Sequence, residues 1–183
     1  MPILNAEISL YPSGLLDSEP AANLSWWAMY TLPRQEKKLM RMLLAKEISF
    51  YSPIIARRYR SPNGRMRSSL QPLFGGYVFV CGEEQQRYEA VCTGCVSRWL
   101  DVPSAHELVE DLRQVQKLIE LDAPLSPESR LVPGQRVRIR HGAFAGYEGV
   151  ILRREKEVRL QVAVRFMNQG VSVLLEDFQA DII

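Results

Sequence analysis

The last third of the chain alternates apolar and polar residues with a period of two. Between Val158 and Phe166 every second residue is apolar, and a turn signal at 168–170 leads into a second alternating run that ends at Leu175. This period predicts half-buried β-strands, and several short strands separated by turns predict a small barrel. Because β-branched side chains disfavour helices, we expect residues 158–175 to hold this β form permanently.

The segment from Val132 to Ile151 is the entry to this predicted barrel. A Pro-Gly turn opens a strand in which Val and Ile alternate with Arg, and a glycine-rich loop carrying Phe144 and Tyr147 follows. Gly149 then leads into the next apolar strand. The pattern indicates a loop that presents aromatic side chains to a partner, and it contains no catalytic apparatus.

The preceding part of the chain mixes strands and helices. A basic run, Arg57 to Arg67, turns at Pro62-Asn63-Gly64, which is a strong hairpin signal because Asn and Gly tolerate positive φ. An S-x-x-E capping pattern at Ser104 predicts the start of an amphipathic helix. The other predicted elements are a strand at Trp26–Tyr30, a helix over Arg34–Glu47, a strand at Phe50–Ile55, a strand at Tyr77–Cys81 that is apolar on both faces, a short helix at 83–92 and a strand at Val96–Val102.

These elements predict an α+β protein of two domains. Pro, Gly and Ser residues make 1–24 a flexible leader, and two prolines make 123–130 a linker. Residues 25–122 form the mixed domain and 131–183 the all-β domain.

Charge separates the chain into blocks. Residues 34–67 carry ten Lys and Arg against two Asp and Glu, a net charge of +8, whereas the whole chain carries +2. Such a block favours a polyanionic partner, and a solvated face is the alternative. A hydrophobic content of 46%, the lack of a signal peptide and the lack of a membrane-spanning run lead us to expect a cytoplasmic protein without a membrane partner.

The cysteines are the one feature that could suggest chemistry. Cys92 and Cys95 have C-x-x-C spacing, which is typical of a redox pair or half of a zinc site, and Cys81 lies nearby. The two histidines are far apart in sequence, and no nucleophile, phosphate loop or metal cluster stands out. We expect structural cysteines in a reducing compartment, no cofactor, no metal and no enzymatic activity.

Three motifs resemble the NusG family of transcription elongation factors, over residues 26–183. Trp26 to Leu39 resembles the first strand and helix of the family's amino-terminal domain, and Gln71 to Val80 resembles its Phe-Pro-Gly-Tyr signature. Val132 to Ile151 resembles the KOW motif that opens its carboxy-terminal barrel. The resemblance implies a NusG-type α/β sandwich domain joined by a linker to a small SH3-like KOW barrel.

The resemblance implies a factor that docks on the clamp helices of the largest RNA polymerase subunits and suppresses pausing or termination. Residues matching the docking surface are Tyr30, Phe74, Tyr77 and Phe79, although the phenylalanines and Tyr77 also suit a core. The family's usual proline is Gly75 here, which loosens the turn before Tyr77.

The runs near Pro33 and Gln71 resemble the specialised, RfaH-like paralogues more than the housekeeping factor. Some of those paralogues contact the exposed non-template DNA strand, and the candidate contacts here are a basic stripe and the basic hairpin. Their residues are Arg34, Lys37, Lys38 and Arg41 in the stripe, and Arg57, Arg58, Arg65 and Arg67 in the hairpin.

In NusG-type barrels the loop around the KOW aromatic contacts a small-subunit ribosomal protein or the Rho termination factor. Phe144 matches that aromatic, so we expect Phe144 to contact a partner protein. We also expect this protein itself to be a monomer. An RNA-binding or ribosome-associated KOW module is the alternative function, and it leaves the Tyr30, Phe74 and Tyr77 surface unexplained.

Overall fold

The structure, a computed structural model, describes residues 7–18, 23–130, 133–154, 157–176 and 179–183. The chain divides into two compact units, Met1–Ala105 and His106–Ile183. Among the described residues, no helix has the length and apolar character needed to cross a membrane.

The first unit contains a five-stranded antiparallel sheet and a separate two-stranded hairpin. Its elements are β1 Leu10–Tyr11, β2 Ser25–Thr31, α1 Glu36–Ala45, β3 Ser49–Tyr51, β4 Ile54–Arg60, β5 Met66–Pro72, β6 Tyr77–Gly82, α2 Glu84–Val91 and β7 Val96–Asp101. The sheet order is β1-β3-β6-β2-β7, and β4 pairs with β5 to form the hairpin. The predicted strands at 26–30, 77–81 and 96–102 and the predicted hairpin are confirmed.

Apolar side chains of the central strands and of α1 form the core of this unit. Met29 and Val78 lie in one buried cluster with Leu39 and Leu43 of α1. The neighbouring positions on the other face of β6, Phe79 and Cys81, are also buried. This two-faced burial explains why β6 reads as a continuous apolar run rather than an alternating one.

Helix α1 is shorter at both ends than predicted. Arg34 has a φ of 61°, outside the helical range, so α1 begins at Glu36 instead of Arg34. At the other end Glu47 has a φ of 57°, and the amide of Ile48 donates to the carbonyl of Leu43. This left-handed cap ends the helix at Ala45.

Within the segment predicted as a flexible leader, the described residues 7–18 form a short strand and a 3-10 turn. Leu10 and Tyr11 pair with β3 at the edge of the sheet, and a 3-10 turn follows at Leu15–Asp17. Leu15 and Leu16 are buried within this short turn. The Pro, Gly and Ser residues shape a tight connection here, and the burial of two leucines holds the segment in place.

In its described residues the second unit contains helix α3 and a six-stranded antiparallel sheet. Its elements are α3 Ala105–Glu120, which begins at the unit boundary, β8 Ser126–Glu128, β9 Arg136–His141, β10 Glu148–Arg154, β11 Glu157–Val164, β12 Gln169–Leu174 and β13 Gln179–Ile182. The sheet order is β13-β9-β10-β11-β12-β8. The β conformation predicted for 158–175 is confirmed, except that Phe166 lies in a 3-10 turn.

The segment predicted as a linker contains the edge strand β8. The Ser126 hydroxyl accepts a hydrogen bond from Arg159 of β11 at 2.9 Å, and the Glu128 carboxylate accepts one from the Ser172 hydroxyl of β12 at 2.6 Å. Gln161 donates to the carbonyl of Arg130 at 3.0 Å. These hydrogen bonds satisfy the polar side chains of Gln161 in β11 and Ser172 in β12, both of which are buried.

Candidate partner-docking and nucleic-acid-binding surfaces

Two tyrosines form a half-buried aromatic pair at one end of the first sheet. Tyr30 of β2 lies directly opposite Tyr77 of β6, and their rings meet edge to face at a centroid distance of 5.2 Å. Arg98 of β7 lies opposite Tyr30 on its other side, with its guanidinium carbon 4.9 Å from the Tyr30 ring centroid. The cross-strand register therefore brings an aromatic pair and a cation to one face.

The backbone beside Tyr30 is fixed by a tight turn at Gly76. Gly76 has a φ of +82°, and a Cβ there would lie 3.1 Å from Cε2 of Tyr30. Its amide donates to Oε1 of Glu36 at 2.8 Å, and its carbonyl accepts from the amide of Thr31 at 2.8 Å. Glycine is required at this position by both the backbone conformation and the aromatic ring.

Phe74 and Phe79 are buried, in contrast to the exposed contact residues that the docking prediction requires. Phe79 is 0% exposed and Phe74 is 3% exposed, so neither offers surface to a partner. Phe79 lies on the same face of β6 as Tyr77. This face is partly open at Tyr77 and fully covered at Phe79. The two phenylalanines stabilise the unit, and the docking prediction is left with Tyr30 and Tyr77.

The predicted basic stripe is only partly a helical surface. Lys38 and Arg41 are exposed on α1 and Lys37 is half-buried there, whereas Arg34 lies in the turn before the helix. Arg41 forms an ion pair with Glu7 of the leader. This hydrogen-bonded arginine, together with the charge of Lys37, lowers the pKa of the Glu7 carboxyl.

The basic hairpin carries arginine on both faces. Tyr59 lies opposite Arg67, with Arg57 on the same face, and Arg58 and Arg60 lie on the other face. No Asp or Glu occurs between positions 48 and 82. Among the described residues these arginines and Arg65 form no ion pair, so their charge is available to an anionic partner.

The loop predicted to bind a partner holds Phe144 half-buried against Tyr147. Their rings meet edge to face at 6.1 Å, and the amide of Gly146 donates to the carbonyl of Ile139 at 2.8 Å. The amide of Glu148 donates to Gln114 of α3 at 3.2 Å. The loop is thus built on a hydrogen-bonded turn, with part of the Phe144 ring open to solvent.

A cleft of about 420 Å³ lies beside this loop within the second unit. Its lining includes Asp111 and Arg165, which are joined by hydrogen bonds of 2.8 to 3.1 Å, and Arg136 and Glu148, which form an ion pair. Burial raises the pKa of Asp111, and the Arg165 hydrogen bonds oppose that rise. Because these charges pair with one another, they join α3 to the sheet across the cleft.

The three cysteines are free thiols. Cys81 and Cys95 are buried, Cys92 is exposed, and burial raises the pKa of the Cys81 thiol to about 12. Within the described ranges, no group of three or more His, Cys, Asp or Glu side chains could hold a metal ion.

Comparison with known proteins gives the chain's family. The family model described as transcription termination factor NusG matches residues 24–133, which is more than half of the chain. The chain belongs to the NusG family. It is also 26% identical over 144 residues to a transcription elongation factor SPT5 from Yarrowia lipolytica, covering 77% of this chain and 14% of that protein.

A solved structure of an Spt4:Spt5 complex is also similar, at 18% identity and a TM-score of 0.29. The match covers 86% of this chain and 97% of that one. The chain spans about one seventh of the length of the SPT5 protein from Yarrowia lipolytica, and its similarity to both relatives supports membership of the NusG family. The NusG match spans the tyrosine pair, the stripe and the hairpin, and it ends before the Phe144 loop.

Sequence reasoning missed three residues that shape these surfaces. Arg98 contacts Tyr30 only because β7 pairs with β2, and Glu36 accepts a hydrogen bond from the amide of Gly76 in the turn beside Tyr30. Glu7 reaches Arg41 across 34 positions of sequence. A signal for Arg98 does exist, because the sequence predicts a strand at Val96–Val102. For Glu7 the sequence has no comparable signal.

Proposed function

We propose that this NusG-family protein is an elongation and antitermination factor that docks on the clamp helices of RNA polymerase through Tyr30 and Tyr77. The observation that carries the proposal is the half-buried tyrosine pair, held by Gly76 and Arg98 in a region matched by the family. Aromatic side chains fixed before binding lose little entropy in an interface, which favours their use as anchors.

The proposal extends to nucleic acid and to a recruited partner. The stripe residues Lys37 and Lys38 and the arginines of the hairpin suit contact with phosphates of the non-template strand, as in the specialised, RfaH-like paralogues. The KOW-type unit, built as a barrel, recruits a ribosomal protein or Rho through Phe144. The protein acts as a monomer in the cytoplasm.

Polymerase capture is the direct test of the docking surface. Replacement of Tyr30 or Tyr77 by alanine is expected to weaken the binding of bacterial RNA polymerase core enzyme by roughly tenfold to thirtyfold, because each removes a central aromatic anchor. Binding is measured with immobilised protein and titrated polymerase, and circular dichroism checks that each variant is folded.

The matched control is Tyr88→Ala, which removes a tyrosine that is 61% exposed on α2. This variant is expected to bind polymerase as the unaltered protein does. Equal polymerase affinity for all four proteins contradicts docking through the Tyr30 and Tyr77 pair.

Charge reversal of the stripe tests the nucleic-acid contact. Lys37→Glu with Lys38→Glu is expected to lower the affinity for single-stranded DNA and to reduce the salt slope of log affinity by about 0.7 for each phosphate that the variant no longer neutralises. The measurement is fluorescence anisotropy of a labelled oligonucleotide over a salt series. The control is Lys117→Glu, which changes an exposed lysine of α3. An unchanged salt slope in the stripe variant would show that Lys37 and Lys38 are solvated and do not contact the DNA.

A further inference from the structure

The leader is fixed to the first unit at several points that do not involve Glu7. Leu10 and Tyr11 pair with β3, and the amide of Ser52 donates to the carbonyl of Ser9 at 2.8 Å. Leu15 and Leu16 are buried a few residues later. These contacts bring the start of the described leader beside α1 whatever side chain stands at position 7.

The carboxylate of Glu7 meets the guanidinium of Arg41 through two hydrogen bonds. Nε of Arg41 donates to Oε2 at 3.2 Å, and Nη2 donates to Oε1. The Glu7 side chain is 18% exposed and that of Arg41 is 65% exposed, so the carboxylate is the more enclosed partner. Two parallel N–H groups are the arrangement with which arginine binds either a carboxylate or a phosphate.

The same arginine belongs to the stripe that we propose for nucleic acid. Arg41 is one turn along α1 from both Lys37 and Lys38, so a phosphate that neutralises these lysines comes within reach of its guanidinium. With Glu7 in place, one of the cations on this surface is already neutralised. A nucleic-acid phosphate must displace the Glu7 carboxylate before it can bind the guanidinium of Arg41.

We infer that Glu7 is a built-in competitor for the nucleic-acid phosphate on the α1 stripe, and that the leader thereby lowers the affinity of this site. The inference rests on the proposed nucleic-acid contact and adds a regulation of it. An ion pair open to solvent is weak, so the competition reduces binding by a modest factor and does not abolish it. Displacement of Glu7 leaves the anchored part of the leader in place.

The test uses the full chain and a fluorescein-labelled single-stranded DNA oligonucleotide at low salt. Glu7→Gln is expected to raise the affinity roughly two- to fivefold. Arg41→Ala is expected to lower the affinity, and Glu7→Gln is expected to raise the affinity less in the Arg41→Ala protein than in the unaltered protein. This double-mutant cycle separates the specific pair from a general gain of positive charge.

Glu89→Gln is the matched control, because Glu89 forms an ion pair with Lys46 beyond the stripe and the change in net charge is the same. An equal affinity gain in Glu7→Gln and Glu89→Gln overturns the competition, while weakened binding in the Lys37 and Lys38 variant still supports the nucleic-acid site. Unchanged binding in that lysine variant overturns the site and the competition together.

Discussion

Gly149→Ala is expected to destabilise the second unit by about 3 kcal/mol or more. A Cβ at position 149 would lie 2.2 Å from the carbonyl oxygen of Gln161 and 3.0 Å from Cδ1 of Leu160. The obstructing atom is backbone of the paired strand, since β10 and β11 are joined by the Val150–Gln161 pair. Relief of this contact requires the two strands to separate, and β10 lies inside the sheet between β9 and β11.

The two units can be followed separately in this experiment. All three tryptophans, Trp26, Trp27 and Trp99, belong to the first unit, so their fluorescence reports its unfolding, whereas far-ultraviolet circular dichroism reports both units. We expect the Gly149 variant to lose part of its dichroism at lower urea concentration than the unaltered protein.

Gly75→Ala is the control for this glycine. Nothing lies within 4 Å of a Cβ at Gly75, and its backbone is not in the left-handed region. This variant is expected to keep its stability or gain up to about 1 kcal/mol by stiffening the unfolded chain. An unchanged urea midpoint in Gly149→Ala contradicts the close approach of β10 and β11.

Local patterns were sufficient where a strand or turn carries its own signal. The Asn63-Gly64 pair predicted the basic hairpin because its backbone requirement is local, and Gly64 has a φ of +76° in the structure. Likewise, alternation predicted β9, in which Val137 and Ile139 are buried and the intervening Arg138 is exposed. Each of these features depends on residues within a few positions of one another.

Features set by distant parts of the chain were not predictable in the same way. Leu15 and Leu16 stand among turn-forming residues, so their burial depends on a surface made elsewhere. Arg98 contacts Tyr30 only because β7 pairs with β2 in one register. Alternation placed Tyr77 and Phe79 on one face, but the extent to which that face is covered is a property of the tertiary fold.

Phe79→Ala separates a core role from a contact role, and a large loss of stability is expected. Because Phe79 is 0% exposed, its truncation removes buried apolar surface and leaves a cavity, at a cost of about 3–5 kcal/mol. Urea unfolding followed by tryptophan fluorescence measures that cost. Phe79→Leu keeps most of the side-chain volume and is expected to cost less than about 1.5 kcal/mol.

The same variants then discriminate between the two roles in polymerase binding. Below its unfolding midpoint Phe79→Leu is expected to bind polymerase like the unaltered protein, whereas Tyr77→Ala is expected to stay folded and bind poorly. The opposite pattern, a stable Phe79→Leu protein that fails to bind, would make Phe79 part of the contact despite its burial. The distinction matters for the proposed function, because only a side chain with exposed surface can transfer its apolar area into an interface.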